Sequence, residues 1–279
     1  MNACVLRAGL RRGAIELRQS FTNGAELFSH LFWPLLMLGV LWFVRGREFG
    51  STGFMLGALT LPGILGMNVS FGMVTMSQLL TAEREDGTLL RAKATPNGMR
   101  GYLVGKVVSV AGGLLADLAL FLVPALLLVD GLHLGAGAWV HLTGIVALGM
   151  AATLPVGAVL GSVFGDARAQ GLIQLPVLAL IGISGIFYPI TALPEWLQWT
   201  AQVFPLYWLG LGMRAAMLPD AAAAVEIGDS WRQAEAVGVL GAWAVLGLAV
   251  APVVLRRMAR RESGSKVAAR RERALQRVV

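Results

Sequence analysis

From Phe49 to Ala82 the chain runs for 34 residues without a charged side chain. Further uncharged runs lie at 107–116, 118–129, 131–165, 169–194 and 236–255. Roughly 20 apolar residues in a helix span a bilayer core of about 30 Å, and most of these runs reach or pass that length. The apolar stretches are continuous, whereas a membrane β-barrel alternates polarity in segments of about 10 residues. Charged residues make up 14% of the chain, against about a quarter in a soluble domain. The expected fold is therefore an all-α polytopic membrane protein.

Six spans are expected, at about 28–44, 54–80, 103–129, 136–164, 170–188 and 234–255. They form one membrane domain over 28–255, preceded by an N-terminal segment, 1–27, and followed by a basic tail, 256–279. Six crossings return both termini to one side, and Lys and Arg say which. The N-terminal segment, the 81–106 region, Arg168 and the tail hold 19 of the 23 basic residues. The opposite side holds Arg45, Arg47, Arg214 and Arg232. The expected topology has both termini in the cytoplasm. Richness in Ala, Gly, Val and Arg fits a bacterium of high G+C content, and so a bacterial cytoplasmic membrane.

The N-terminal segment alternates apolar residues at 5, 6, 10, 15 and 17 with arginines at 7, 11, 12 and 18. This reads as an amphipathic helix on the membrane surface, with a frayed basic tail as the plainer alternative. The basic C-terminal tail suits anionic lipid, and no pattern supports nucleic-acid binding. The single Cys4 excludes an internal disulfide. His30, His133 and His141 form no metal motif, so no metal site is expected.

The second span is too long for one crossing. Either it starts irregularly near Pro62-Gly63, or its helix runs on into the cytoplasm and carries Glu83, Arg84 and Glu85 outward. Gly87 then permits a bend. Thr88 can cap a short helix over 89–94 that sets Leu89 and Leu90 against Arg91 and Lys93. Thr95-Pro96 reads as the next helix start, Thr as cap and Pro in the first turn. Such a protrusion suits a protein partner. The segment 188–217 holds Pro189, Pro194 and Pro205 with Trp196, Trp199, Tyr207 and Trp208. Prolines break helices and Trp favours membrane interfaces. Two short helices dipping in from the outer side fit, as does a loop lying on that surface.

The run EREDGTLLRAKATP with YLVGK behind it resembles the cytoplasmic coupling segment of ABC type-2 permeases, the membrane subunits of ATP-driven exporters. Glu85, Gly87, Thr88, Thr95, Pro96, Gly105 and Lys106 match that pattern, while Leu90 stands where an acid is common. The stretch 187–218, with Pro189, Pro194, Trp196, Pro205 and Arg214, resembles the family's outer re-entrant region. The resemblance implies a separate ABC ATPase in two copies that holds ATP and Mg, a second copy of this chain, and outward movement of a drug, antibiotic or lipid-like compound. It implies that the ATPase meets Glu83, Arg84, Glu85, Gly87, Thr88, Leu90, Thr95 and Pro96. The residues agree that no nucleotide binds here. The stretch at Gly105-Lys106 has Arg100 at the first glycine position of a phosphate loop and Val107 at the Ser/Thr position. This chain is thus expected to be no enzyme and to bind no cofactor.

Asp117 lies within the third span, where a charge is costly and usually faces a bundle interior or a water path. It is read either as a substrate- or cation-facing group, with Asn68 and Gln174 lining the same path, or as a structural hydrogen-bond partner. An ion-coupled secondary transporter using Asp117 is the alternative function, but it normally needs more buried charges and repeated broken helices. An intramembrane enzyme needs paired catalytic groups, which the sequence does not offer.

Overall fold

From Leu56 onward the long uncharged run folds as one unbroken helix, α3 (Leu56–Glu85). In the computed structural model, residues 3–48, 55–95, 98–132, 134–164 and 167–261 are described, with the backbone alone at 167–169, 172, 173 and 261. The other helices among them are α1 (Ala3–Ser20), α2 (Gly24–Val44), α4 (Thr88–Ala94), α5 (Gly98–Leu128), α6 (Ala136–Val163), α7 (Ala167–Ile183), α8 (Glu195–Val203), α9 (Pro205–Met217) and α10 (Gln233–Arg261). No strand occurs among the described residues. Of the two readings of the second span, the continuous helix holds. Pro62 sits in the second turn, and α3 at 30 residues is about 45 Å long.

Among the described residues five helices are long and apolar enough to cross a membrane: α2, α3, α5, α6 and α10. The fifth expected span, 170–188, is the exception. Helix α7 has 17 residues and ends at Ile183, about 26 Å of helix. The uncharged run continues past it, but the chain turns at Gly185, which adopts φ +68°. Apolar composition alone does not mark that break.

Helix α3 is the centre of the bundle. In its most apolar stretch 89% of residues are buried, against 11% in α2. Glycines let its neighbours come close. A Cβ on Gly161 of α6 would lie 2.6 Å from the Ser77 carbonyl oxygen, and one on Gly66 of α3 would lie 2.9 Å from the Gly210 amide of α9. Helix α2, by contrast, turns Phe28, Trp33 and Phe43 outward, as a lipid-facing helix does.

The N-terminal segment is helical rather than frayed. Helix α1 lies along the first half of α5: a Cβ on Gly9 would sit 2.7 Å from the Gly101 carbonyl oxygen, and one on Gly13 2.6 Å from that of Gly105. Further on, Leu17 covers Gly112. Small residues spaced by four allow this backbone approach. The tail beyond Arg261 and the Pro96 helix start lie outside the described residues, but Arg256, Arg257 and Arg260 continue α10 as helix.

Between 189 and 217 two short helices form. Pro194 precedes α8 and Pro205 occupies the first turn of α9, positions where the missing N–H costs no hydrogen bond. Helix α9 is enclosed by α3, α6 and α10. Helix α8 is peripheral and turns Trp196 and Trp199 outward.

Candidate functional site

The site is the end of α3 with the reversal behind it. Helix α3 stops at Glu85, and Gly87 takes φ +82°, a conformation that costs a residue with a Cβ roughly 1–2 kcal/mol. The expected Thr88 cap is corrected. Thr88 is the first helical residue of α4, and the Asp86 carboxylate accepts its N–H at 2.7 Å. Gly87 stands at the N-cap, and Asp86 one residue before it satisfies a first-turn amide through an Asx turn.

Helix α4 buries Leu89 and Ala92 and packs on α3, α5 and the end of α10. Arg91, Lys93 and Ala94 face out, and Thr88 and Leu90 are half-buried. Thr95 closes α4 rather than opening α5, its hydroxyl donating to the Ala92 carbonyl at 3.0 Å. Helix α5 begins at Gly98, whose N–H donates to the Thr95 carbonyl at 3.0 Å. A Cβ at Gly98 would overlap Thr95 Oγ1 and the Ala92 oxygen.

Of the residues expected on the protrusion, Glu83 and Arg84 turn inward. Glu83 forms an ion pair with Lys106 of α5, and the same ammonium donates to Glu16 of α1 at 2.6 Å. Arg12 reaches Glu16 at 2.8 Å and lies over the ring of Tyr102, 5.1 Å from its centroid. Two acids and two bases thus join α1, α3 and α5, with Lys106 only 3% exposed. Arg84 donates to the carbonyls of Gly161 and Ser162 at 3.4 and 3.2 Å, the α6 C-terminus, where a cation is favoured. One turn earlier, Thr81 donates to the Phe164 carbonyl at 3.2 Å, and Gln170 of α7 donates to Thr81 at 2.6 Å. The last two turns of α3 are therefore tied to α1, α5, α6 and α7. Glu85 is half-buried and has no salt bridge among the described residues.

Two of these residues carry a further signal in the sequence, in their isolation among residues of other kinds. Glu16 is the lone acid of α1 among its four arginines, and Lys106 is the one cation between Arg100 and Asp117. An isolated charge on an otherwise apolar helical face implies a partner. Thr81 and Gln170 carry none.

A model of the ABC-2 type transporter family matches residues 6–218, which takes in α1 through α9 and the whole of this site. The chain belongs to the ABC-2 type transporter family. It is a multi-pass membrane protein and the permease component of an ABC transporter; members of the family generally work with an ATPase. No curated protein matches the chain.

In this permease the outer-region residues fall into two groups. Arg214, on the enclosed face of α9, pairs with Glu226 at 2.8 Å and donates to the Gly185 carbonyl at 3.0 Å. Trp196 stands exposed on α8. Among the described residues no hydrogen bond or ion pair joins the suggested path residues to one another. Asp117 bonds His30 Nδ1 of α2 at 2.6 Å, Asn68 is half-buried on α3, and Gln174 is exposed on α7. The His30 ring also stacks on Phe21 at 4.5 Å. Asp117→Asn keeps an acceptor for His30 and is expected to leave yield and thermal stability within about two-fold and 2 °C of the parent. Asp117→Leu strands the imidazole and is expected to cost about 1–3 kcal/mol, read as a lower unfolding temperature in detergent.

Proposed function

We propose that this permease is the membrane half of an ATP-driven exporter that moves a hydrophobic or amphipathic compound (drug, antibiotic or lipid-like) outward across a bacterial cytoplasmic membrane. A separate ATPase, in two copies beneath two copies of the permease, hydrolyses Mg-bound ATP. Six crossings serve the chain, with α7 and the adjoining turn as the fifth and both termini cytoplasmic; the skew of Lys and Arg supports that topology. Helices α8 and α9 then enter from the outer leaflet.

The observation that carries this reading is α4, a short helix held by two tight reversals at the tip of the central helix. A push on the exposed side of α4 moves α3, and α3 is packed on α5, α6, α7 and α9. Two packed arrangements of such a bundle switch as rigid bodies rather than deform continuously. Glu85, Thr88, Leu90 and Thr95 present the handle, and Gly87 sets its angle. Glu83 and Arg84 transmit by holding α3 to its neighbours.

The test is co-purification with an ATPase encoded beside this chain, and then ATP hydrolysis in lipid. The parent is expected to form the complex. Glu85→Ala and Gly87→Pro are expected to release the ATPase or to lower permease-dependent hydrolysis at least ten-fold, with the permease itself still monodisperse. A stable complex unaffected by both changes would overturn α4 as the handle.

A further inference from the structure

The helices of the bundle do not all meet in the same way. Helices α3, α6 and α9 touch backbone to backbone. A Cβ on Gly157 of α6 would overlap the Met73 carbonyl of α3, and one on Gly66 of α3 would lie 2.9 Å from the Gly210 amide of α9. Thr153 of α6 also donates to the Val69 carbonyl of α3 at 3.4 Å. Helix α10 joins this group at Gly247, where a Cβ would lie 2.9 Å from Pro155 Cβ of α6. Helices α1 and α5 touch backbone to backbone at Gly9 and Gly13, and the His30–Asp117 bond holds α2 to α5 at 2.6 Å. The contact between α3 and α5 is of another kind. Gly72 of α3 faces the Leu114 side chain rather than backbone, and the α5 glycines from 101 to 113 turn to α1 and α2. At the inner end the two groups are tied by Glu83 and Lys106, and that ammonium also holds Glu16 on its own side at 2.6 Å. At the outer end the Leu56 N–H donates to the Arg47 carbonyl at 2.7 Å. Helix α4 packs on both α3 and α5, across the inner end of the seam.

We infer that the permease moves as two bodies, α3 with α6, α9 and α10 against α5 with α1 and α2, and that the side-chain seam between α3 and α5 is where it shifts. Helices locked through glycines cannot slide without driving one backbone into another, because a packed interior has no room to give. An interface of side chains accepts a small slide by changing rotamers, which is how packed helices shear. Lys106 suits a tie that opens, since it keeps Glu16 when Glu83 moves away. The division into two bodies does not depend on what drives it; its use in transport rests on the exporter reading.

Two cysteine pairs test the seam in a Cys4→Ser background, Cys4 being the only cysteine. Each pair replaces a glycine and the leucine that covers it: Gly72→Cys with Leu114→Cys across the seam, and Gly112→Cys with Leu17→Cys inside one body. In the complex with the ATPase, oxidation of the seam pair is expected to lower permease-dependent ATP hydrolysis about ten-fold, and reductant to restore it. Oxidation of the α1–α5 pair is expected to leave hydrolysis within about two-fold of its reduced form. A seam crosslink that leaves hydrolysis unchanged overturns the inference, as does an α1–α5 crosslink that stops it equally. Hydrogen exchange of the detergent-purified full chain alone needs neither ATPase nor mutation. Amides of α5 are expected to open in step with those of α1 and α2, and amides of α3 with those of α6 and α9. Opening of α3 and α5 as a single unit overturns the two bodies. A parent that forms no ATPase complex fails the exporter reading instead, and the exchange pattern then decides the inference.

Discussion

Arg214→Met is expected to lower the stability of the folded permease by about 3–5 kcal/mol, because it leaves Glu226 as an uncompensated buried charge. The Arg214 and Glu226 side chains are only 4% and 1% exposed. The arginine also holds the turn after α7 through the Gly185 carbonyl, so one change loosens α9, that turn and the loop that carries Glu226. The double change Arg214→Met with Glu226→Leu removes both charges and is expected to regain most of the loss, since apolar replacement of a buried pair is often neutral. Thermal unfolding in detergent, tracked by loss of the monodisperse peak, reads the difference. Equal destabilisation in the single and double variants would mean that the pair adds nothing beyond the volume it fills.

Lys106→Met is expected to have the second-largest effect, about 3 kcal/mol, because Glu83 and Glu16 then face each other without the ammonium between them. Arg12 still neutralises Glu16, which leaves Glu83 as the stranded group. Adding Glu83→Gln is therefore expected to recover much of the stability. Coupling is expected to respond differently. With the pair gone, α1 and α3 are no longer tied through α5, so the double variant is expected to bind the ATPase normally yet transmit less of its motion. Transport per ATP hydrolysed separates the two effects.

How much of this was legible in the sequence depended on range. The reversal after α3 could be read because its determinants are adjacent: a glycine that permits positive φ, with capping side chains around it. Even there the cap came from Asp86 and not Thr88, and Thr95 bonded backward to Ala92, both choices between neighbours that sequence spacing leaves open. The inward turn of Glu83 and Arg84 was not legible. Their partners lie at 106, 161 and 162, and successive helical residues point 100° apart, so packing alone decides which face goes inside. The pairing of Arg214 was hidden for the same reason, its partner Glu226 lying in a later loop. The end of α7 was hidden because lipid and protein interiors accept the same apolar residues, and a turn inside an uncharged run leaves no mark in charge.

The central position of α3 also sets an order of assembly. It is the least apolar of the five long helices and the most enclosed, with Asn68, Ser70 and Ser77 along its length. The helices that enclose it include α6 and α9, which leave the ribosome only after it. Helix α3 must therefore enter the bilayer before its shelter exists, next to α2 alone. Truncations that end before α6 are expected to leave α3 poorly inserted and open to proteolysis, while chains that reach past Met217 protect it. The segment that would carry force in the mature transporter is thus the one whose own insertion depends most on helices made after it.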